Sequence, residues 1–349
     1  MQQRVVFLCH CLHNGGAQRV LVSIANYMAE HSYEVYIIAS FNNGSYPLSE
    51  NIKVTYVGEG EYLKFIKVAR KEIKQLQPKT VIAFEYFFNL LASIACLGLK
   101  TKLIVSERND PSRVGSGFLK DRIRNLLYRF VDILVCQTPD AKGYFPSYIK
   151  KKSVIIANPL KPNLPIHVGG NRVKEIVTFC RLNSQKNLPM LLYAFRDFLK
   201  NHDDYKLRIF GDGEEAETLN ELSKNLDISE RVDISPASDN VHELVLNARM
   251  FVLPSDYEGL SNSMLEAMAI GLPTICTDCP CGGARMVIKN GENGFLIPVR
   301  DKYALYETMC KIADDNVLAE RLSTEAIKLR ETLSIEAISQ KWISLVETK

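Results

Sequence analysis

Short apolar runs alternate with longer amphipathic stretches along the first half of the chain. The apolar runs have the length and composition of buried strands and occupy residues 5–9, 35–39, 81–84, 103–106 and 133–136. The stretches between them place apolar residues at helical spacing and include residues 17–30, 63–75 and 119–130. Strands that alternate with helices in this way predict an α/β fold with a parallel sheet covered by helices.

The alternation stops near residue 160 and then begins again. Three prolines, Pro159, Pro162 and Pro165, precede the glycine pair at 169–170. A segment rich in proline and glycine is typical of an interdomain linker. Strand-like runs resume at residues 176–180, 206–210, 250–253 and 274–276. We therefore predict two Rossmann-like parallel-sheet domains, 1–160 and 170–330, and a C-terminal helix within 331–349 that can cross back to the first domain. Open parallel sheets bind ligands at the carboxyl ends of their strands, so we expect the ligand in a cleft between facing domains.

Composition narrows the class of protein. The 349 residues are 46% hydrophobic and 24% charged, which is ordinary for a globular protein. No apolar run reaches the roughly 18 residues of a membrane-spanning helix, and the N-terminal run reads as a strand rather than a signal peptide. The nine cysteines lack the paired spacing of a zinc site, so we expect reduced thiols and a cytoplasmic protein.

Charge is divided unevenly between the two halves. Residues 1–160 carry 21 Lys/Arg and 12 Asp/Glu, a net charge of +9, whereas residues 161–349 carry 22 and 28, a net charge of −6. Two stretches of the first half, 61–79 and 117–130, combine cations with apolar residues at helical spacing; the second has Arg124 among its cations and Phe118 and Leu126 among its apolar residues. Such helices can lie on an anionic membrane or pack on a core with a solvated basic face. Nucleic acid is a poorer explanation, because no nucleic-acid-binding module accompanies the charge.

The turn after the first strand contains a glycine pair, Gly15 and Gly16. Glycine lets the backbone approach a ligand, and free amides at a helix start favour phosphate. The turn lacks both the Gly-x-Gly-x-x-Gly fingerprint and the Walker loop, which argues against dinucleotide oxidoreductases and P-loop kinases. The alternative is a tight turn that binds nothing.

The turn after the first strand of the second domain carries two cations, Arg181 and Lys186. They can converge on a diphosphate and neutralise the charge that grows on it as it leaves. The alternative is a pair of solvated surface cations. No Asp-x-Asp pair ends a strand, so we expect no metal and no other cofactor.

The segment 253–273 is the most specific of the chain. A strand ends, a polar loop carries Glu258, and a helix capped by Ser261 or Asn262 is expected to carry Glu266 in its first turn. A carboxylate anchored on a helix can accept hydrogen bonds from both hydroxyls of a ribose diol, and a carboxylate on the loop can accept them from sugar hydroxyls. The residues whose backbone amides can meet a phosphate or sugar oxygen are Gly259, Leu260, Ser261 and Asn262.

Glu258 and Glu266, with the Glu-Ala-Met-Ala-x-Gly-x-Pro sequence that begins at Glu266, resemble the Glu-x7-Glu signature of the retaining family 4 glycosyltransferases, which have the GT-B fold. Residues 14–21 resemble the family's Gly-Gly-Ala-Glu-Arg segment, with Gln18 in place of the usual glutamate. Four further segments resemble family motifs in the family's order, namely 106–111, 181–187, 210–213 and 290–296. Six motifs in this order make a chance match very improbable.

The resemblance implies a role for each matching position. Arg181 and Lys186 would hold the donor diphosphate, Glu266 the ribose hydroxyls and Glu258 the transferred sugar, while amides at 15–16 would meet the phosphate. It implies a metal-independent, retaining transfer of a hexose or N-acetylhexosamine from a nucleotide sugar, with UDP favoured. The acceptor would be a glycan or lipid-linked sugar in bacterial surface polysaccharide or glycolipid synthesis, on the inner face of the plasma membrane.

The chain departs from the family at one position. Many relatives place a histidine near the donor sugar, but the corresponding stretch here has Glu107 and Arg108. Glu107 is a candidate catalytic base, Arg108 a candidate cation near the phosphates, and Glu107 can equally be a salt-bridged structural carboxylate. His10 and His13, after the first strand, are rival candidates.

Two other functions share this architecture. A non-catalytic GT-B partner of another glycosyltransferase would be expected to lose the diphosphate cations or the glutamate pair, yet all four residues are present. A nucleotide-sugar epimerase would convert the donor without an acceptor, so an assay with the donor alone separates it from a transferase.

Overall fold

The chain folds into two compact units in a computed structural model that describes residues 3–13, 15–44, 46–115 and 117–348. Unit 1 comprises Met1–Pro159 and Leu333–Lys349, and unit 2 comprises Leu160–Thr332. Each unit is built on one sheet, of seven strands in unit 1 and six in unit 2, and all the strand pairs within them are parallel. The predicted fold class, two Rossmann-like parallel-sheet domains, is confirmed.

Unit 1 follows the predicted alternation of strands and helices. Its strands are β1 (Gln3–Cys9), β2 (Tyr33–Ala39), β3 (Lys53–Tyr56), β4 (Thr80–Phe84), β5 (Lys102–Ser106), β6 (Ile133–Cys136) and β7 (Ser153–Ile155), in the order β3-β2-β1-β4-β5-β6-β7. Its first six helices are α1 (Gly16–Glu30), α2 (Tyr62–Leu76), α3 (Tyr86–Cys96), α4 (Phe118–Leu127), α5 (Pro139–Gly143) and α6 (Ser147–Lys150), and a 3-10 turn at Tyr128–Phe130 follows α4. The central strands are continuous apolar runs because helices cover both faces of the sheet.

Unit 2 has the same organisation. Its strands are β8 (Val173–Phe179), β9 (Lys206–Phe210), β10 (Val232–Ser235), β11 (Ala248–Leu253), β12 (Thr274–Thr277) and β13 (Phe295–Ile297), in the order β10-β9-β8-β11-β12-β13. Its helices are α7 (Leu188–Phe198), α8 (Ala216–Asn225), α9 (Val241–Val245), α10 (Asn262–Ala269), α11 (Gly283–Val287), α12 (Lys302–Asp314), α13 (Asn316–Ile327) and α14 (Leu329–Thr332). Short 3-10 turns lie at Ser184–Lys186 and Ser229–Arg231. Strands β8 and β11 are neighbours, so the turns that follow them meet at one edge of the sheet.

The last helix, α15 (Ile335–Glu347), belongs to unit 1. Its Trp342 is fully buried and stacks on Phe84, the last residue of β4, with ring centroids 5.3 Å apart. Lys102 Nζ donates to the carbonyl oxygens of Leu345 at 2.6 Å and Thr348 at 2.8 Å, at the C-terminal end of α15. Aromatic packing and a cation at the helix C-terminus therefore both hold α15 on unit 1.

Candidate functional site

An ion pair between Lys186 and Glu258 lies at the carboxyl ends of β8 and β11. Lys186 Nζ contacts Glu258 Oε1, and both side chains are only 12% exposed. Ser255 Oγ donates to the same carboxylate oxygen at 2.8 Å, and Gln185 Nε2 donates to Glu258 Oε2 at 3.3 Å. Two residues that are 72 positions apart therefore meet because their strands are neighbours in the sheet.

The surroundings keep the Lys186 ammonium charged. Burial acts to lower the pKa of the Lys186 ammonium, but the Glu258 carboxylate outweighs that effect, and the pKa lies above its ordinary value. Burial raises the pKa of the nearby Cys180 thiol to about 11 and that of Cys279 to about 12. The thiols are therefore neutral at neutral pH, and the pair supplies the charge of this pocket.

The loop that carries Glu258 is fixed by the loop that follows β12. The Glu258 backbone amide donates to the Pro280 carbonyl at 2.6 Å, and the Cys281 amide donates to the Glu258 carbonyl at 2.7 Å. A Cβ on Gly283, the first residue of α11, would lie 1.8 Å from the Gly259 carbonyl oxygen. This close approach requires glycine at position 283 and leaves the Glu258 loop little freedom to move.

Glu266 lies on α10, directly after that loop. Of the two predicted N-caps, Ser261 is the one used: its Oγ accepts a bond from the Met264 amide at 3.4 Å. The helix begins at Asn262, so the prediction that Glu266 lies in the first turn is wrong, because Glu266 is the fifth helical residue. The other two loop residues, Gly259 and Leu260, are also buried.

Glu266 has a partner that the sequence did not indicate. Its Oε2 lies 2.8 Å from Nε2 of the buried His242, on α9. The edge of the His242 ring also packs on Phe179, the last residue of β8, with centroids 5.5 Å apart. A lone histidine 24 residues before Glu266 carries no sequence signal, and only the packing of α9 reveals it.

Arg181 is exposed on the turn after β8, and the glycines of the segment 210–213, which resembles a family motif, support its backbone. The Leu182 amide donates to the Asp212 carbonyl at 2.8 Å. Cβ atoms on Gly211 and Gly213 would lie 1.9 Å from the Cys180 carbonyl oxygen and 2.1 Å from the Leu182 carbonyl oxygen. The glycines therefore allow the turn after β9 to pack directly against the turn that carries Arg181.

In unit 1 the glycine pair opens α1, with Gly15 as the N-cap and Gly16 as the first helical residue. A Cβ on Gly15 would lie 1.9 Å from Oε1 of Gln18, whose side chain folds back over it. Asn14, the first residue of this motif, lies outside the described residues. His10 packs between Phe41 and Phe88, with centroids 6.3 and 5.6 Å away, and His13 faces Tyr46 at 5.6 Å.

Glu107 is buried behind the end of β5. The Tyr128 hydroxyl donates to its Oε1 at 2.5 Å, and Asn89 Nδ2 donates to Tyr128 Oη at 3.1 Å. Burial raises the pKa of Glu107, while the Tyr128 hydrogen bond and the Arg124 charge act in the opposite direction. This arrangement matches the structural alternative for Glu107 rather than a base open to substrate.

Arg124 is fully buried, so its prediction as a cation of the exposed basic face is wrong. It pairs with Asp121, and its guanidinium lies over the rings of Tyr144 and Phe145, 5.0 Å from each centroid. The aromatic residues around it, which also include Tyr86 at 5.8 Å, come from other segments of the chain, which the periodicity of α4 does not reveal.

The described residues contain neither a cluster of metal ligands nor a membrane-spanning helix. Within 3–13, 15–44, 46–115 and 117–348, no group of three or more His, Cys, Asp or Glu side chains could hold a metal ion. In the same ranges no helix has the length and apolar character needed to span a bilayer.

Comparisons with known proteins cover both units. The "Glycosyltransferase Family 4" model matches residues 14–164, and the "Glycosyl transferases group 1" model matches residues 168–329. An uncharacterized glycosyltransferase of Haemophilus influenzae is 28% identical, over 94% of this chain and 95% of its own length. An α-1,4-N-acetyl-D-galactosaminyltransferase of Campylobacter jejuni, named for the undecaprenol-linked GalNAc-GalNAc-diNAcBac glycan, is 29% identical over 98% of each chain.

A solved structure shares the fold. The crystal structure of HepE from Anabaena, in complex with UDP, matches with a TM-score of 0.84 at 16% identity, covering 99% of each chain. The resemblance carried by the six motifs is thus confirmed along nearly the whole length. With both family models matched and the fold shared, the chain belongs to the family 4 glycosyltransferases and has the GT-B fold.

Proposed function

We propose that this glycosyltransferase transfers a hexose or N-acetylhexosamine from a UDP-sugar to a glycan or lipid-linked acceptor, without a metal and with retention of anomeric configuration. The observation that carries the proposal is the buried Lys186–Glu258 ion pair at the ends of β8 and β11. UDP in the HepE structure and the undecaprenol-linked glycan in the name of the Campylobacter relative support the donor and the acceptor class. Surface polysaccharide or glycolipid synthesis is the matching context.

In this proposal the residues that bind the donor belong to unit 2. Lys186 and Arg181 bind the diphosphate, Glu258 accepts hydroxyl bonds from the transferred sugar, and Glu266 binds the ribose diol. The backbone amides of 259–262 meet phosphate or sugar oxygens at the start of α10. Because Lys186 is already buried and held in place, its charge needs no reorganisation as the leaving group forms.

The reaction breaks the bond between sugar C1 and the diphosphate oxygen, which keeps the bonding electron pair, and forms a bond from C1 to the acceptor oxygen on the same face. The proton of the acceptor hydroxyl passes to the departing diphosphate oxygen. Lys186 and Arg181 stabilise the charge that the departing diphosphate gains. For Glu107 we propose the structural alternative, in which it ties the end of β5 to Tyr128. The roles of Gly15 and Gly16 stay predictions.

We also propose that α4 rests on an anionic membrane. Its stripe Leu119, Ile123 and Leu126 recurs at helical spacing, and Leu119 and Leu126 are 68% and 56% exposed. Lys120 and Arg122 are exposed beside this stripe, whereas the one buried residue of α4 is Arg124. An outward apolar stripe flanked by cations suits the interface of an anionic leaflet. The cytoplasmic face of the plasma membrane would supply both this surface and a lipid-linked acceptor.

The test is a panel of UDP- and GDP-sugars, measured first by thermal shift and then by transfer to glycoside acceptors. We expect a UDP-sugar to stabilise the wild type, and Lys186→Ala and Glu266→Ala to abolish transfer. Lys174→Ala is the matched control, because Lys174 pairs with Asp204 on the surface of the same unit. Wild-type transfer by either variant would refute the site. Conversion of the donor in the absence of an acceptor would identify an epimerase. A protein that turns over no donor at all would be a non-catalytic partner.

A further inference from the structure

Glu85, at the end of β4, has a backbone that a side chain rarely adopts. Its φ of 75° and ψ of 145° lie in a region that favours glycine. The Glu85 amide donates to the Ser106 carbonyl at 3.0 Å, and the Glu85 carbonyl accepts from the Asn89 amide at 2.8 Å. Bonds on both sides thus hold the residue in a strained conformation that glycine would occupy at lower cost. Retention of a carboxylate at such a position calls for a reason other than stability.

Gln18 orients the Glu85 carboxylate. Gln18 Nε2 donates to Glu85 Oε2 at 2.9 Å, and the Gln18 side chain fills the space that a Cβ on Gly15 would need. The family motif usually has a glutamate where this chain has Gln18. A glutamate there would set two carboxylates against each other, so the amide at position 18 and the acid at position 85 complement each other.

The Glu85 carboxylate lies in a polar and charged environment. Its charge adds to the effect of burial in raising the pKa values of the Cys9 and Cys11 thiols. Burial lowers the pKa of Arg108 to about 9 while Glu85 acts to raise it, so the guanidinium stays charged at neutral pH. Arg108 also stacks on Phe84, 4.9 Å from its centroid. The carboxylate is therefore oriented by an amide and lies within electrostatic reach of a cation.

An exposed aromatic pair includes Phe87, which comes two residues after Glu85 in the chain. Phe87, in the first turn of α3, contacts Tyr62 edge to face with centroids 4.6 Å apart. Phe87 is 40% exposed and Tyr62 39% exposed. Glu85 itself is partly exposed. A pyranose ring presents hydroxyls that a carboxylate can accept and a C–H face that packs on an aromatic ring, so this set of groups suits a sugar.

We infer that Glu85 binds hydroxyl groups of the acceptor sugar in unit 1, that Gln18 positions it, and that the Tyr62–Phe87 pair packs against the sugar ring. The inference rests on the proposed function, because it assigns the acceptor of that reaction a place. Glu85 is a binding residue in this scheme, and Gln18 acts through it.

The test measures acceptor binding directly. Saturation-transfer NMR follows a panel of p-nitrophenyl hexosides and N-acetylhexosaminides with the wild type, Glu85→Gln and Glu85→Gly, in the presence of UDP. We expect the wild type to bind at least one glycoside and both variants to bind it at least tenfold more weakly. Glu50→Gln, an exposed carboxylate of the same unit, should leave binding unchanged. Phe87→Ala should weaken it as well.

Thermal stability separates binding from a structural role. We expect Glu85→Gln to keep the wild-type Tm and Glu85→Gly to raise it, because glycine relieves the strained φ. A lower Tm in both variants with unchanged glycoside binding would overturn the inference, as would a wild type that binds no glycoside of the panel. A shift of the wild-type Tm by a UDP-sugar reports on the proposed donor site alone. Failure of the proposed donor binding can therefore be distinguished from failure of acceptor binding by Glu85.

Discussion

Breaking the Lys186–Glu258 pair should separate the stability of the donor site from its chemistry. Replacing Lys186 with Met leaves the Glu258 carboxylate 12% exposed and without its cation. Removal of one partner of a buried ion pair costs about 3–5 kcal/mol. Glu258 keeps the hydrogen bonds from Ser255 and Gln185, so we expect the lower end of that range. For a domain of this size the loss corresponds to a fall in Tm of about 6–12 °C.

The double variant Lys186→Met with Glu258→Gln is the decisive comparison. It removes both charges, and a neutral pair of similar volume is often as stable as the ion pair it replaces. We therefore expect its Tm to return close to that of the wild type. Transfer should not return, because a preorganised cation facing a developing anion contributes about 100- to 1,000-fold in kcat.

The assays are differential scanning fluorimetry and initial rates of UDP release with the donor and acceptor found in the panel. A single variant with wild-type kcat would refute the role of Lys186 in catalysis. A double variant no more stable than Lys186→Met would refute the claim that the uncompensated carboxylate causes the loss. Lys174→Met supplies the matched control for both measurements.

Four further predictions follow from single contacts. His242→Ala should raise the donor KM about tenfold with a smaller effect on kcat, since a hydrogen bond to a charged group contributes about 1.5–3 kcal/mol. His242→Gln should restore most of the donor affinity. An unchanged donor KM in His242→Ala would contradict the idea that His242 positions Glu266. Gly283→Ala should destabilise the protein by about 1–3 kcal/mol and lower kcat, because its Cβ would displace the Gly259 carbonyl. The control Gly143→Ala, with open space around its Cβ, should change neither the stability nor kcat. Leu119→Ser with Leu126→Ser should weaken co-sedimentation with phosphatidylglycerol vesicles at least tenfold, given about 1.5–3 kcal/mol for each buried leucine, without lowering Tm; equal sedimentation would count against the membrane surface. Glu258→Gln should bind UDP several-fold more tightly in calorimetry while losing transfer, because Glu258 would no longer compete with the diphosphate for Lys186. Weaker UDP binding by this variant would contradict that competition.

The central strands of both sheets could be predicted because they are continuous apolar runs. The pattern did not predict the edge strands β3 and β10, none of whose residues is buried. It also did not predict β7 and β13, which have only three residues each. An edge strand packs on one side only, so its sequence carries neither a long apolar run nor a strict alternation.

The residues of the proposed donor site could be named from the sequence, but not their pairing. Lys186 and Glu258 were identified separately as a phosphate cation and a sugar carboxylate, and nothing in their spacing indicates that they contact each other. Their contact depends on the strand order that makes β8 and β11 neighbours. The same limit applies to His242, which is brought to Glu266 by the packing of the short helix α9.

The basic helices show where periodicity misleads. The stretch 61–79 carries apolar residues at helical spacing, yet Leu63 within it is 78% exposed, and Phe65, Ala69 and Ile73 form the buried face of α2. In α4 the apolar stripe faces outward and the buried residue is Arg124. A helical repeat shows which residues share a face, but it does not show whether that face meets a protein core or a membrane.

The pairing of Lys186 with Glu258 also bears on how the site selects its ligand. In the absence of donor each charge has its partner within the protein, so a diphosphate alone must compete with Glu258 for the Lys186 ammonium. In the proposed donor site, a nucleotide sugar would bring hydroxyl groups that satisfy Glu258 while its phosphates engage Lys186, and it would therefore replace both halves of the pair at once. We therefore expect such a site to favour the complete donor over UDP and to release UDP more readily once the sugar has been transferred. Neutralising Glu258 removes that competition, which is why we expect tighter UDP binding in the variant that no longer transfers sugar.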